Sequence, residues 1–188
     1  MNQRFLQLLI AILALGILGY GGYQTFKILV KPAPKPKTIT LVDYLTKPGT
    51  QVRLTLIGPV TAPEKHVEQT YTISSTSRDL SITKGYNTAP EATSSYNNNQ
   101  AAFEDVMRAL QNAGFTAGAG TASTTTEVGS CPTGTRAVYE LISSGQDVFR
   151  TWSSTCGNGT FQGTPSTVRQ LFQVQYPDLN KLPATLRL

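Results

Sequence analysis

The sequence predicts an α+β domain behind a single transmembrane helix, and three observations carry that prediction. From Phe5 to Phe26 the chain holds no charged residue. Short strand-like runs over residues 52–56, 67–74 and 80–83 give way to a helical stripe, and two apolar-rich runs, 138–142 and 148–152, lead to a second one. Strand pairs followed by helices favour a two-layer domain, an antiparallel sheet of about five strands with both helices on one face.

The uncharged run, FLQLLIAILALGILGYGGYQTF, makes a helix of roughly 33 Å at 1.5 Å per residue, enough for a hydrocarbon core of about 30 Å. The transmembrane helix is assigned to residues 5–30 after a four-residue flank. A cleaved signal peptide has a shorter apolar region, about 7–15 residues, and ends in a small-x-small site. Here Gly21 and Gly22 are followed by Tyr23 and then by lysines, and both cysteines lie too far along the chain to carry a lipid anchor.

Charge is unevenly divided. Arg4, Lys27, Lys31, Lys35 and Lys37 carry all the charge of residues 1–37, whereas residues 38–188 hold as many acidic as basic groups. The pI of about 9.3 therefore belongs to the membrane flank, where lysines meet anionic headgroups. A neutral folded part gives no footprint for nucleic acid, so no nucleic-acid partner is expected. The partners expected are the lipid bilayer, through the N-terminal helix, and an envelope or cell-surface protein or glycan.

The flanks also bear on sidedness. Four lysines after the span against Arg4 before it point the large domain toward the cytoplasm under the positive-inside rule. The cysteine pair and the composition of the domain point outward, and long domains can cross despite their flanking charges. The localisation expected is a single-pass cell-membrane protein with its C-terminal domain outside.

Residues 31–37, KPAPKPK, form a stalk: alternate prolines forbid a helix and favour an extended segment, which the like charges stiffen. The single extracytoplasmic domain then spans residues 38–188. Residues 38–44 fit either a strand or a helical turn. The Val52, Leu54, Leu56 strand ends at Gly58-Pro59, and the runs at 67–74 and 80–83 pair as a hairpin across a polar turn. The first helix is capped by Asn99 and stopped by Gly114. Residues 116–130 are small and polar and read as a mobile loop, without the glycine-lysine pattern of a phosphate cradle.

Val138–Ile142 and Val148–Trp152 make a hairpin about Ser143-Ser144-Gly145, which sets Cys131 and Cys156 opposite each other just past its open end. A disulfide between Cys131 and Cys156 follows from that placement. Two cysteines and one histidine do not make a structural zinc site, and neither metal nor cofactor is expected. Beyond Cys156, Thr164 can cap the second helix, with Pro165 in its first position and Val168, Leu171 and Phe172 as its buried stripe. Asn158-Gly159-Thr160 formally matches a glycosylation acceptor. The leucines of the tail, 179, 182, 186 and 188, lie back on the domain.

Cys131-Pro132, Tyr139-Glu140-Leu141, Trp152-Ser153-Ser154-Thr155-Cys156-Gly157 and Phe161 together resemble an uncharacterised membrane-anchored extracytoplasmic domain of Saccharibacteria-type candidate bacteria, over about residues 50–180. The resemblance implies a surface location and no catalytic residue.

A catalytic set is hard to assemble. His66 is the only histidine and is expected to be exposed between turn and strand, with no nucleophile elbow to serve. Glu140 and Asp147 are candidates for paired carboxylates of a cell-envelope hydrolase. A pilin-like subunit is the other alternative, although the glycine-phenylalanine processing site and the glutamate within the span are missing. The expected function is a noncatalytic binding or envelope-interaction module, with no catalytic residue and with exposed Tyr86 and Tyr96 as contact candidates.

Overall fold

A computed structural model describes Gly16, Tyr20 and residues 39–86, 88–118 and 126–188. Apart from those two isolated positions, the expected membrane helix at 5–30 and the stalk at 31–37 lie outside the described residues. Among the described residues no helix is long and apolar enough to cross a membrane. The chain divides into two units, residues 1–37 and 38–188, and the second carries the fold.

That unit is α+β. A six-stranded, wholly antiparallel sheet is built from β1 (Gln51–Ile57), β2 (Val67–Ser74), β3 (Ser77–Lys84), β4 (Pro90–Asn97), β5 (Arg136–Ser143) and β6 (Gln146–Ser154), in the order β4-β3-β2-β1-β5-β6. Helix α1 (Gln100–Asn112) follows the four-stranded meander, and α2 (Pro165–Gln173) follows the β5–β6 hairpin. The sheet thus has six strands where about five are expected. The addition is β4, an edge strand whose inward residues Ala92, Ser94 and Tyr96 are only half-buried. An edge strand needs little apolar alternation, because one side of its ladder and much of its surface face water.

Strand periodicity of two sorts the side chains cleanly. The register aligns Leu54 with Tyr71 on one side and Tyr139 on the other, and sets Leu80 beside Tyr71 and Leu141 beside Phe149. This inner face joins Phe103, Met107 and Leu110 of α1 and Val168 and Phe172 of α2 in one buried cluster. Phe103, Phe115 and Phe172 are at most 1 % exposed, and burial of each contributes roughly 1.5–3 kcal/mol. The outer face carries Arg53, Thr70, Thr72, Ser81 and Ser95, as expected of an antiparallel sheet with one wetted side.

Local chemistry sets the boundaries. Asn99 Oδ1 accepts the Ala102 N–H at 2.9 Å and caps α1, and Gly114 leaves the helix at φ +76°. Thr164 precedes α2 but makes no side-chain capping bond, so the cap expected there is absent. Pro165 starts that helix by supplying a fixed φ and no orphan N–H. The described part of the 38–44 segment, 39–44, holds a 3-10 turn, Leu41–Tyr44, with Leu41 fully buried and its N–H donating to Gln111 Oε1 at 2.6 Å. The β5–β6 turn has both Ser144 (φ 52°) and Gly145 (φ 75°) in the left-handed region, the two-residue hairpin geometry that matches strand twist. At the C-terminus, Leu186 is buried and Gln69 Nε2 donates to its carbonyl at 2.6 Å, fixing the tail on the domain.

Candidate binding cleft

Where β1 ends and β5 begins beneath the start of α2, the packing leaves a cleft of ≈ 360 Å³. Leu56, Ala137 and Pro165 supply its apolar surface. Around them stand the hydroxyl-bearing Thr135, Tyr139, Ser153 and Ser166 and two arginines, Arg136 and Arg169. Among the described residues no aspartate or glutamate lines it.

The two arginines are held differently. Arg136 begins β5 on the outer face of the sheet, opposite Ile57 and beside Glu68; it is 7 % exposed, its Nη2 lies 3.5 Å from the Gly58 carbonyl, and its Nε is buried without a hydrogen-bond partner. Arg169 lies on the first turns of α2, half-buried, and forms no ion pair among the described residues. It lies close enough to Tyr139 to act on it: burial pushes that phenol up, and the Ser153 bond and the Arg169 charge pull it partly back. The Tyr139 hydroxyl sits 3.0 Å from Ser153 Oγ, and its ring stacks on Phe161 at 3.9 Å. These contacts fix one wall before any ligand arrives.

The adjoining wall is set by the Cys131–Cys156 disulfide, which forms as expected with its Cα atoms 5.6 Å apart. Thr155, next to Cys156, lies with its Oγ1 3.7 Å from Cys131 Sγ and accepts the Thr135 N–H at 3.0 Å. Gly134 is needed beneath it, because a Cβ there would come within 2.5 Å of Cys131 Sγ and 2.2 Å of Thr155 Oγ1. The bridge thereby places both threonines, 135 and 155, on the cleft rim.

The other residues singled out by sequence have structural occupations. His66 is 3 % exposed rather than exposed, stacked on Tyr86 at 4.1 Å with Nδ1 3.0 Å from the Pro59 carbonyl. Its ring fills the corner between a further 3-10 turn, Pro63–Lys65, and β2. Tyr86 is 41 % exposed, but its hydroxyl donates to the Thr61 carbonyl and accepts that residue's N–H. Tyr96 donates to Asp178 Oδ2 at 2.7 Å and meets the edge of Tyr176. Asn158 turns its side-chain oxygen inward to accept from Ser154 Oγ at 2.6 Å.

Glu140 and Asp147 lie on the outer face of the β5–β6 hairpin, away from the cleft floor. Glu140 lies 3.6 Å from Arg53 Nη1 and 3.4 Å from Arg150 Nε, and Arg150 also holds Glu127 at 2.5 Å. Burial pushes the Glu140 carboxyl up, the Arg53 and Arg150 charges oppose this, and Asp147 adds to it. A carboxylate shared by two guanidiniums is committed to charge neutralisation and is poorly placed to move protons. The Glu127 contact also ties down the end of the 116–130 loop, part of which lies outside the described residues. Among the described residues no group of three His, Cys, Asp or Glu side chains is placed to hold a metal ion.

Sequence reasoning found the disulfide that frames the cleft but neither arginine. Arg136 occupies a strand end and Arg169 the polar side of a helix, positions where an arginine is ordinary. The absence of any acid near Arg169 within its own helix was the one available signal.

No family model matches the chain, and neither a curated protein nor a solved structure matches it.

Proposed function

We propose that the domain is a noncatalytic binding module of the cell envelope, held outside the membrane by an N-terminal helix at 5–30 and the stalk at 31–37. The observation that carries the reading is the cleft beneath α2: a recess with Arg169, several hydroxyls and no acid among its described lining residues. Cavities of about 300–1,000 Å³ with a few convergent polar groups are the usual form of a small-ligand site. The outward placement rests on the disulfide, which persists in oxidising compartments, and on the resemblance to a membrane-anchored domain of Saccharibacteria-type candidate bacteria. The lipid bilayer is then the first partner, and an envelope glycan or protein the second.

The test is a pull-down with the full-length oxidised chain in detergent micelles against envelope fractions, beside the same chain reduced and unfolded. Enrichment of a glycan or protein only by the folded form is the expected outcome. Equal recovery by both forms removes the binding reading. Sidedness is checked separately: a membrane-impermeant thiol reagent should label Cys131 and Cys156 in intact cells only after reduction by an equally impermeant reductant.

A further inference from the structure

We propose that the cleft beneath α2 recognises an anionic sugar, one whose carboxylate or phosphate is held by Arg169 and whose hydroxyls meet the ring of Ser, Thr and Tyr side chains. This deepens the binding reading above and rests on it.

Charge supplies the first half of the argument. Arg169 forms no ion pair among the described residues; Arg136 adds no guanidinium to this face, because the register sets it opposite Ile57 on the outer face, beside Glu68. With no carboxylate in the cleft wall among the described residues, the Arg169 guanidinium is left to an external anion, and its planar fork matches carboxylate or phosphate through paired hydrogen bonds. The start of α2 adds to the same field, since its first turn has no acidic residue and the Thr164 side chain caps none of its N–H groups.

The rest of the wall says what the anion is attached to. The Thr135 and Ser166 side chains make no hydrogen bond within the described residues, while Tyr139 and Ser153 use one bond between them and retain further capacity. Hydroxyls act as donors or acceptors according to the partner, which suits a ligand that is itself hydroxylated. The apolar patch of Leu56, Ala137 and Pro165 fits the C–H face of a sugar ring. At ≈ 360 Å³ the cleft sits at the small end of ligand sites, about 300–1,000 Å³, and so takes a short saccharide end, not the length of a polymer. A bare inorganic anion would leave both the hydroxyls and the apolar patch unused.

Calorimetric titration of the full-length oxidised chain in micelles separates the possibilities, using a uronic-acid disaccharide, its neutral counterpart, a hexose phosphate and inorganic phosphate. At least one acidic sugar should bind about tenfold or more tightly than the neutral disaccharide and than inorganic phosphate, as expected for a charge-assisted contact plus ring contacts. The two acidic arms decide whether the anion is carboxylate or phosphate. Arg169→Gln should weaken the acidic sugar by about tenfold or more while leaving the neutral sugar unchanged, and Arg169→Lys should restore part of the loss. Unaltered thermal melting of these variants shows that folding is intact, and competition of the acidic sugar against envelope binding by the unsubstituted protein needs no variant.

Equal binding of neutral and acidic sugars overturns the proposal, as does undiminished binding by Arg169→Gln. Inorganic phosphate binding as tightly as the acidic sugars removes the saccharide half and thereby the proposal. Envelope enrichment that survives Arg169→Gln and an excess of both acidic sugars overturns it too, but leaves the broader binding function standing. Absence of envelope enrichment by the unsubstituted chain removes that broader reading instead.

Discussion

Removing the Cys131–Cys156 bridge should cost the domain a large, calculable share of its stability. The cysteines are 25 residues apart, and the loop-closure entropy for such a ring corresponds to about 3.5 kcal/mol. For a domain of this size that loss lowers the melting temperature by roughly 7–14 °C, at about 2–4 °C per kcal/mol. The double variant Cys131→Ala, Cys156→Ala should be melted in micelles beside the oxidised parent, with tryptophan emission as the probe. Trp152 is the only tryptophan and is 6 % exposed on β6, so the signal reports the sheet domain and not residues 1–37. Gly134→Ala provides a second arm, because its Cβ would strike Cys131 Sγ; its cost should shrink when the sulfurs are gone, a coupling between neighbours. A double variant melting within about 2 °C of the parent would show that the bridge constrains little, and the reasoning from loop entropy would fail.

Glu68 tests the outer face by pH. Its half-buried carboxyl is pushed up chiefly by burial, against the pull of His66 and Arg136. Because its folded pKa lies above the ordinary value, its favourable contribution is complete at acid pH and is lost as pH rises through the folded value. Glu68→Gln should therefore be more stable than the parent near neutrality, and the difference should vanish below about pH 4; an advantage that grows on acidification refutes the sign. Gly145→Ala meets no atom within 4 Å at φ 75°, so chemical denaturation should show a loss of about 1–2 kcal/mol from backbone strain alone. Asn99→Ala should cost about 1 kcal/mol by the same measurement, through the lost cap on α1. Tyr176→Phe should cost about 1 kcal/mol, since its buried hydroxyl is 3.0 Å from both the Thr72 and Asp79 carbonyls.

How far the sequence can be read depends on how local each determinant is. Val52, Leu54 and Leu56 announce a strand because alternation within a few residues is the physics of a half-buried ribbon. Asn99 announces a helix start because its cap partner is three residues away. The disulfide was legible for a related reason: the Ser144-Gly145 turn fixes the register of β5 and β6, which carries Thr135 to Thr155, and a turn from Cys131 to Gly134 then folds Cys131 onto Cys156. β4 carries no such mark, being defined by the edge of β3 and by Tyr96 resting on Tyr176. His66 was misread because its burial depends on Tyr86, which arrives from the far end of β3. The cleft was the least legible part, since it exists only where Tyr139 and Ser153 from two strands and Arg169 from a later helix meet one space.

The strand order has a consequence for assembly in time. β1 is paired to β2, its immediate successor, and to β5, which begins only after the meander and α1 are complete. A chain made from its N-terminus can zip β1 through β4 as local hairpins, while the free flank of β1 waits for residues 136–143. Until then an apolar strand edge stands unpaired, the kind of surface that recruits wrong neighbours. The disulfide cannot help at that stage, because it ties β5 to β6 and leaves the β1–β5 seam uncrossed. The late hairpin thus acts as the closing leaf of the sheet, and its arrival decides whether the first half of the domain is sheltered or sticky.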